Sequence, residues 1–466
     1  MSSPDAHPFH DRERVISFAV ERARRYLAKV NDLPVAPRST EVQSIEQLCG
    51  TLPGEPEDPS TVVSMLDEFG SPATVASAGS RFFGFVQGGT LPAALGASWV
   101  VSAWDQNAAL YVMSPVAAEL EQAALRWTCE LLGLPAECGG AIVTGATMAN
   151  FSALAAARHF VLTRTGWDVE AQGLFGAPPI NVVVGEEVHV SLLKALSLLG
   201  LGRDRVTRVP VDKQGRMRTD ALPALNEKTI LCLQAGNVNT GAFDPANEII
   251  PLAHKAGAWV HVDGAFGLWA AASPKHRHLV TGYSQADSWA TDAHKWPNVG
   301  YDCGIAIVRE HSNLRAAMVV SAADLASSDH REPSHYTPDA SRRARGVELW
   351  AALRSLGRSG MAELVDRTCK HARRFAAGLS SAGYEVLNDV VINQVLVSFG
   401  APEITTSVVR RLQEEGTCWC GSTVWQGRTA MRISVSSWAT TDEDVERSLA
   451  AMLQIAADCK KVSQYI

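Results

Sequence analysis

Four short stretches in the middle of the chain carry side chains that could act together on a small molecule. Thr144-Gly145-Ala146-Thr147-Met148-Ala149-Asn150 follows the apolar run AIV (141–143) and leads into a helical stretch. Its small residues would let backbone amides approach an anion, and Thr147 could cap the helix or offer its hydroxyl to a phosphate. Capping alone explains the stretch equally well. Gly185-Glu186-Glu187-Val188-His189-Val190-Ser191 follows INVVV (180–184); a lone histidine at a strand end is more often structural than catalytic. Asp263 ends the run AWVHV (258–262) within His261-Val262-Asp263-Gly264-Ala265-Phe266-Gly267. A carboxylate there needs a cation or several donors, or it costs several kcal/mol. Lys295 lies 32 residues further on, in Asp292-Ala293-His294-Lys295-Trp296. In that apolar, aromatic setting an amine can become nucleophilic. Taken alone, it would be a surface lysine lying along Trp296.

The elements that must position these residues form an alternating pattern. The apolar runs already named, with TILCLQA (229–235) and GIAIV (304–308), alternate with helix-like segments such as NFSALAAARHFVL and EIIPLAHKAG. This predicts an α/β fold with a mainly parallel sheet covered on both faces. Such sheets bind ligands beyond the carboxyl ends of their strands, where the four stretches lie. Upstream, RERVISFAVERARRYL has helical periodicity, and a polar loop TLPGEPEDPS precedes a second helix from about Thr61. Downstream, GVELWAALRSLG reads as a helix, VINQVLVSF and RTAMRISVS as a small sheet, and DEDVERSLAAMLQIA as a closing helix. The expected organisation is an N-terminal helical segment (1–78), a large domain (79–340) and a small α+β C-terminal domain (341–466).

Composition narrows the function classes. The 466 residues are 46% apolar and 20% charged, enough to bury a deep core over more than one lobe. With 42 Lys plus Arg against 49 Asp plus Glu, and no long basic run, nucleic acid and anionic membrane surfaces are poor partners. No window approaches about 18 uninterrupted apolar residues, and MSSPDAHPFHDRER lacks a signal-peptide pattern. Nine scattered cysteines suggest a reducing cytoplasm without a disulfide framework. Cys418 and Cys420 are too isolated to form a zinc site, so no metal is expected.

Together the four stretches ask for a ligand with a phosphate, a flat ring, a ring atom that pairs with a carboxylate, and an aldehyde that takes a lysine. Pyridoxal 5′-phosphate (PLP) meets all four demands. RFFGFVQGG, SPVAAELEQAALRW, TGATMAN, VHVSLLKA, GNVNTGAFDP, HVDGAFG, DAHKW and SRRARGVELW resemble the group II PLP-dependent amino-acid decarboxylases, relatives of aromatic-amino-acid, glutamate and tyrosine decarboxylases. The resemblance spans about residues 80–350, with a weaker echo in RISVSSWATTDEDV, and implies the fold-type-I PLP architecture. It implies that Lys295 forms a Schiff base with the cofactor and that Asp263 pairs with the pyridine nitrogen. His189 would stack on the ring and take part in proton transfer. Ala146 and Thr147 would hold the phosphate with His294 close by, and Ala265 would pack on the ring; Ser191 has no assigned role. The implied assembly is a homodimer with interfacial sites, acting on an amino acid. Phe82, Phe83, Phe85, Gln87 and Trp104 match the substrate-entrance region, although ordinary core packing explains each aromatic equally well.

Two departures bear on mechanism. Where many relatives have Gly-Thr-Thr, this chain has Gly236-Asn237-Val238, and Asn237 could donate to the ring hydroxyl. The family's loop tyrosine, which protonates Cα, is matched by Asp324 in Ser321-Ala322-Ala323-Asp324-Leu325; His335 and Tyr336, further along the loop, are alternatives. Loss of that donor would prolong the quinonoid and open oxidative deamination to an aldehyde. Decarboxylation at Cα is the leading expectation; oxidative deamination, aminotransfer and aldol-type cleavage are the alternatives. Arg432 in MRISVS would favour retention of the carboxylate if it clamps that group, and is otherwise a fold-supporting strand residue.

Overall fold

The structure, a computed structural model, describes residues 12–320 and 330–463. Its large sheet contains β1 (Gly139–Val143), β2 (Asn181–Gly185), β3 (Thr207–Val209), β4 (Thr229–Gln234), β5 (Trp259–Asp263), β6 (Ser288–Asp292) and β7 (Gly304–Val308). The spatial order is β1-β7-β6-β5-β4-β2-β3, with β7 antiparallel to both neighbours and the other pairings parallel. β1 and β6 therefore point the same way, which brings the segments after Val143 and Asp292 to one edge.

Each of the five apolar runs lies on a strand. Their residues alternate between two cores: Val260 and Val262 join one cluster, and Trp259 joins the other. Helices Pro115–Leu132 and Arg345–Ser381 contribute to the first, Ala146–Thr163 and Val190–Leu198 to the second. The pattern missed β3 and β6. In β6, Ser-Trp-Ala-Thr-Asp mixes polar and apolar residues, yet all five are buried, so neither alternation nor a continuous apolar run marks it.

A second, antiparallel sheet has the order β10-β11-β9-β8, from β8 (Glu385–Val386), β9 (Gln394–Ser398), β10 (Gly421–Trp425) and β11 (Arg428–Ser434). Helices Pro402–Glu415 and Asp442–Ser463 close its core. Helix Arg345–Ser381, broken at Gly357 (φ 59°), carries Leu349 in the large core and Phe375 in the small one. Arg81–Phe83 runs beside the small sheet: the Phe83 N–H donates to the Trp419 carbonyl at 2.8 Å, and the Ser434 N–H donates to the Phe83 carbonyl at 3.0 Å. Five residues after Phe83, Gly88 lies so close to the Lys295 carbonyl that a Cβ would sit 2.1 Å from it. Among the described residues, no helix is long and apolar enough to cross a membrane.

Candidate active site

The turn after β6 is anchored on both sides of Lys295. Trp296 is fully buried, and its indole N–H donates to Thr368 Oγ1 at 2.8 Å. It faces the core and gives no surface for a snorkelling lysine. Asn298 Nδ2 donates to the Lys295 carbonyl at 3.3 Å and the Ser436 carbonyl at 3.0 Å, tying the turn to the chain after β11. Lys295 is left 17% exposed, with Nζ 2.9 Å from Asp292 Oδ2. The other oxygen of Asp292 accepts the Ala146 N–H at 2.6 Å. His294 Nε2 lies 3.6 Å from the same oxygen, while its Nδ1 accepts the Cys303 N–H at 3.2 Å. Burial lowers the pKa of His294, so its imidazole is neutral near pH 7.

Asp263 ends β5 and is 4% exposed. Asn150 Nδ2 donates to its Oδ2 at 3.1 Å and the Ala265 N–H donates to its Oδ1 at 3.2 Å. Each donor satisfies one oxygen of this buried carboxyl group. His189 caps helix Val190–Leu198: Ser191 N–H reaches its Nδ1 at 3.3 Å, and Ser191 Oγ lies 2.7 Å from the same nitrogen. With Nδ1 accepting, the proton sits on Nε2. Burial is the largest influence on this imidazole and lowers its pKa; Asp263 opposes that, while Lys295 and Arg432 reinforce it.

Helix Ala146–Thr163 starts beside this group, with Gly145 at its N-cap offering no side chain and the Asp292 carboxylate accepting its first amide. Gly145 precedes it in extended backbone, and a Cβ there would meet His294 Cε1 at 3.2 Å. Ala146 is buried and Thr147 half-buried. The half-buried Ala265 also belongs to this rim, its carbonyl accepting the Asp292 N–H at 2.8 Å.

Other expected residues have different settings. Asn237 engages its side chain within its own turn: Nδ2 donates to Gln234 Oε1 at 3.2 Å, and Oδ1 accepts the Asn239 and Thr240 N–H groups at 2.9 and 3.2 Å. Arg432 makes no ion pair among the described residues; its closest polar contact is Asn239 Oδ1 at 3.4 Å. Phe82 and Phe85 stand against Trp419 with ring centroids 5.0 and 5.2 Å apart, whereas Phe83 packs in the small core against Phe375. Tyr301 stacks on His294 with ring centroids 4.3 Å apart. Trp104 ends helix Pro92–Trp104, partly exposed.

The loop candidates for protonating Cα divide. Asp324 lies outside the described residues. His335 and Tyr336 are not brought to Lys295: Tyr336 packs under Arg331, which donates to the Gly140 carbonyl near the start of β1, whereas Lys295 lies beyond the end of that strand. Sequence reading also left Asp292, Asn150 and Tyr301 without roles. The spacing of Asp292 three residues before Lys295 was an available signal; the contact between Asn150 and Asp263 crosses 113 positions.

The arrangement offers an amine, a buried carboxyl group, a neutral imidazole and a helix N-terminus whose first amide is held by Asp292, all at one end of one sheet. This donor set fits PLP, whose phosphate suits the first-turn amides beyond Ala146 and the Thr147 hydroxyl, and whose aldehyde suits Lys295. Among the described residues, no group of three or more His, Cys, Asp or Glu side chains could hold a metal ion.

A family model, the pyridoxal-dependent decarboxylase conserved domain, matches residues 43–401. The chain is 30% identical over 372 residues to the aromatic-L-amino-acid decarboxylase of Drosophila lebanonensis, covering 72% of this chain and 89% of that protein. It is 26% identical over 463 residues to tryptophan decarboxylase 1 of Oryza sativa subsp. japonica, covering 90% and 88%. For the acidic amino acid decarboxylase GADL1 of Mus musculus, identity is 29% over 354 residues, 73% of this chain but only 62% of that protein's length. Among solved structures, Oryza sativa TDC with PLP and tryptamine has a TM-score of 0.88 at 22% identity, covering 98% of this chain and 99% of that one. Mouse CSAD in apo form has a TM-score of 0.87 at 22% identity, covering 95% and 98%. At these identities the structural likeness establishes the shared fold.

Proposed function

The chain belongs to the pyridoxal-dependent decarboxylase family, and from that premise we propose that it binds PLP and decarboxylates an L-amino acid at Cα. The observation that carries this reading is that Lys295 and the first amide of helix Ala146–Thr163 share the Asp292 carboxylate, while Asp263 and His189 stand at or just past the same ends of the parallel strands β5 and β2. When bound, PLP supplies an aldehyde that condenses with amines and a ring that accepts the electron pair left at Cα as carbon dioxide departs.

The protein's part is binding, orientation and proton placement. Thr147 and the first-turn amides not taken by Asp292 would hold the phosphate, with the helix dipole favouring its charge. Lys295 would take the aldehyde, and Asp263 would pair with the pyridine nitrogen and favour its protonated form, which makes the ring a better electron acceptor. His189, with a transferable proton on Nε2, and Ala265 would line the ring. Asp292 and His294 set the Lys295 turn. Asn237 shapes the turn that places Asn239 against Arg432, and Arg432 would orient an anionic substrate group other than the carboxylate that leaves.

A homodimer agrees with the exposed apolar residues Trp99, Val100, Trp104, Val112, Met113 and Val116, which a second copy would cover. The nine free cysteines agree with a reducing cytoplasm.

The test is mass spectrometry after incubation of PLP-loaded protein with a pool of L-amino acids, with and without oxygen. One amino acid should yield its amine and carbon dioxide independently of oxygen. An aldehyde formed only in oxygen would replace decarboxylation with oxidative deamination. A protein that develops no PLP absorption and leaves the pool unchanged would overturn the reading.

A further inference from the structure

A buried chain of hydrogen bonds lies behind Asp263. Trp259 Nε1–H donates to Ser288 Oγ at 2.9 Å, and Ser288 Oγ lies 2.9 Å from His261 Nδ1. His261 Nε2 lies 2.8 Å from Asn150 Oδ1, and Asn150 Nδ2 donates to Asp263 Oδ2 at 3.1 Å. Ser288, His261 and Asn150 are fully buried.

The direction of the chain follows from its Asp263 end. Asn150 turns its Nδ2 hydrogens to Asp263, so its Oδ1 faces His261 Nε2 and accepts from it. His261 then carries its proton on Nε2, and its bare Nδ1 accepts the Ser288 hydroxyl hydrogen. A Ser288 lone pair takes the Trp259 indole N–H. A flipped amide would set its NH2 group against the His261 N–H and its oxygen against the carboxylate. Burial also pushes the pKa of His261 down to about 3, so the imidazole remains a single donor at neutral pH.

We propose that Asn150, His261 and Ser288 are positioning residues that hold the Asp263 carboxyl group oriented toward the cofactor's ring nitrogen. This inference rests on the PLP reading above. The Asn150 and Ala265 donors each occupy one oxygen of the Asp263 carboxyl group, and each oxygen retains further accepting capacity. The relay prevents Asn150 from reversing and so fixes how that group is presented to the ring nitrogen. Ser288 lies on β6, the strand that leads to Lys295, so the relay also ties the ring-nitrogen partner to the lysine's strand.

The experiment loads the full-length protein with PLP carrying nitrogen-15 in the ring and reads that nucleus by NMR alongside kcat. Wild type should show a protonated ring nitrogen. Asn150→Leu should retain bound PLP but move the signal toward neutral pyridine and lower kcat by more than tenfold. Ser288→Ala, which frees His261 to reverse its tautomer, should move both in the same direction by less. Nitrogen-15 spectra of His261 should show the neutral Nε2–H form throughout pH 6–8. A fully protonated ring in loaded Asn150→Leu, or a His261 carrying its proton on Nδ1, would overturn the inference while leaving PLP binding intact. Should Asn150→Leu fail to fold, Ser288→Ala and the His261 tautomer decide. Wild type that takes up no labelled PLP would defeat the functional reading itself, and this inference with it.

Discussion

Asp292 holds Lys295 and the start of helix Ala146–Thr163 with a single carboxylate, one oxygen 2.9 Å from Nζ and the other 2.6 Å from the Ala146 nitrogen. The group is 2% exposed, so water supplies little substitute for either contact. The strand parallel to β1 thus delivers the amine and the proposed phosphate site to each other as one unit.

Replacing Asp292 with Asn keeps the shape and an acceptor for the Ala146 N–H, but removes the charge facing Lys295. The variant should remain folded while its rate of PLP capture falls about tenfold, as expected for losing roughly 1.4 kcal/mol of orientation. Stopped-flow absorbance after mixing with PLP checks this. A wild-type rate would mean that Asp292 is only structural.

Lys295→Ala and Asp263→Asn should separate attachment from electron withdrawal. The first should leave no PLP attached after borohydride treatment and should lose turnover. The second should still attach PLP through Lys295 but lose at least about a hundredfold in kcat, because a neutral amide no longer favours the protonated ring. Intact-mass spectrometry and steady-state kinetics read the two effects independently. Attachment in Lys295→Ala would place the reactive amine elsewhere.

Arg432 lacks an ion-pair partner among the described residues and lies close enough to lower the pKa of His189. Arg432→Gln should raise KM by about tenfold or more, the effect of losing one charge-assisted contact to an anionic substrate group. A fall in stability with unchanged kinetics would reduce Arg432 to a support for β11.

Stability should decline on mild acidification. Burial lowers the pKa of His261 to about 3 and also lowers those of His189, His294 and His371. In the unfolded chain each returns to about 6.5 and takes up a proton that the fold resists. The stabilisation is therefore complete above about pH 6.5. For His261 it is lost by about 1.4 kcal/mol per pH unit from there down toward pH 3. Asp244, Glu187 and His254 oppose the trend: burial raises the Asp244 carboxyl pKa to about 6 and also raises that of Glu187, and the Asp287 carboxylate raises that of His254, so acidification protonates these groups first in the fold. The lowered imidazoles, with His276 and His335 among them, outnumber these groups, and urea midpoints should fall between pH 7 and 5. A flat or rising profile would show that these imidazoles protonate within the fold.

The amino-acid sequence by itself determined the five apolar strands, the α/β class and the chemical types at their carboxyl ends. Continuous β-branched runs such as INVVV mark strands buried on both faces, and Asp263 and Lys295 are conspicuous where such runs stop. Only the tertiary structure decided who partners whom. Ser288 and Asp292 look too polar for a central strand because their partners, His261 and Ala146, belong to other elements. Asn150 reads as an ordinary helical residue until β5 brings Asp263 to it. Tyr336, near in sequence to the expected proton-donor loop, is drawn under Arg331 at the other end of β1. Strand order and helix crossover set these meetings. Local spacing carries periodicity and chemical type, but a buried hydrogen bond is defined only when both elements have packed.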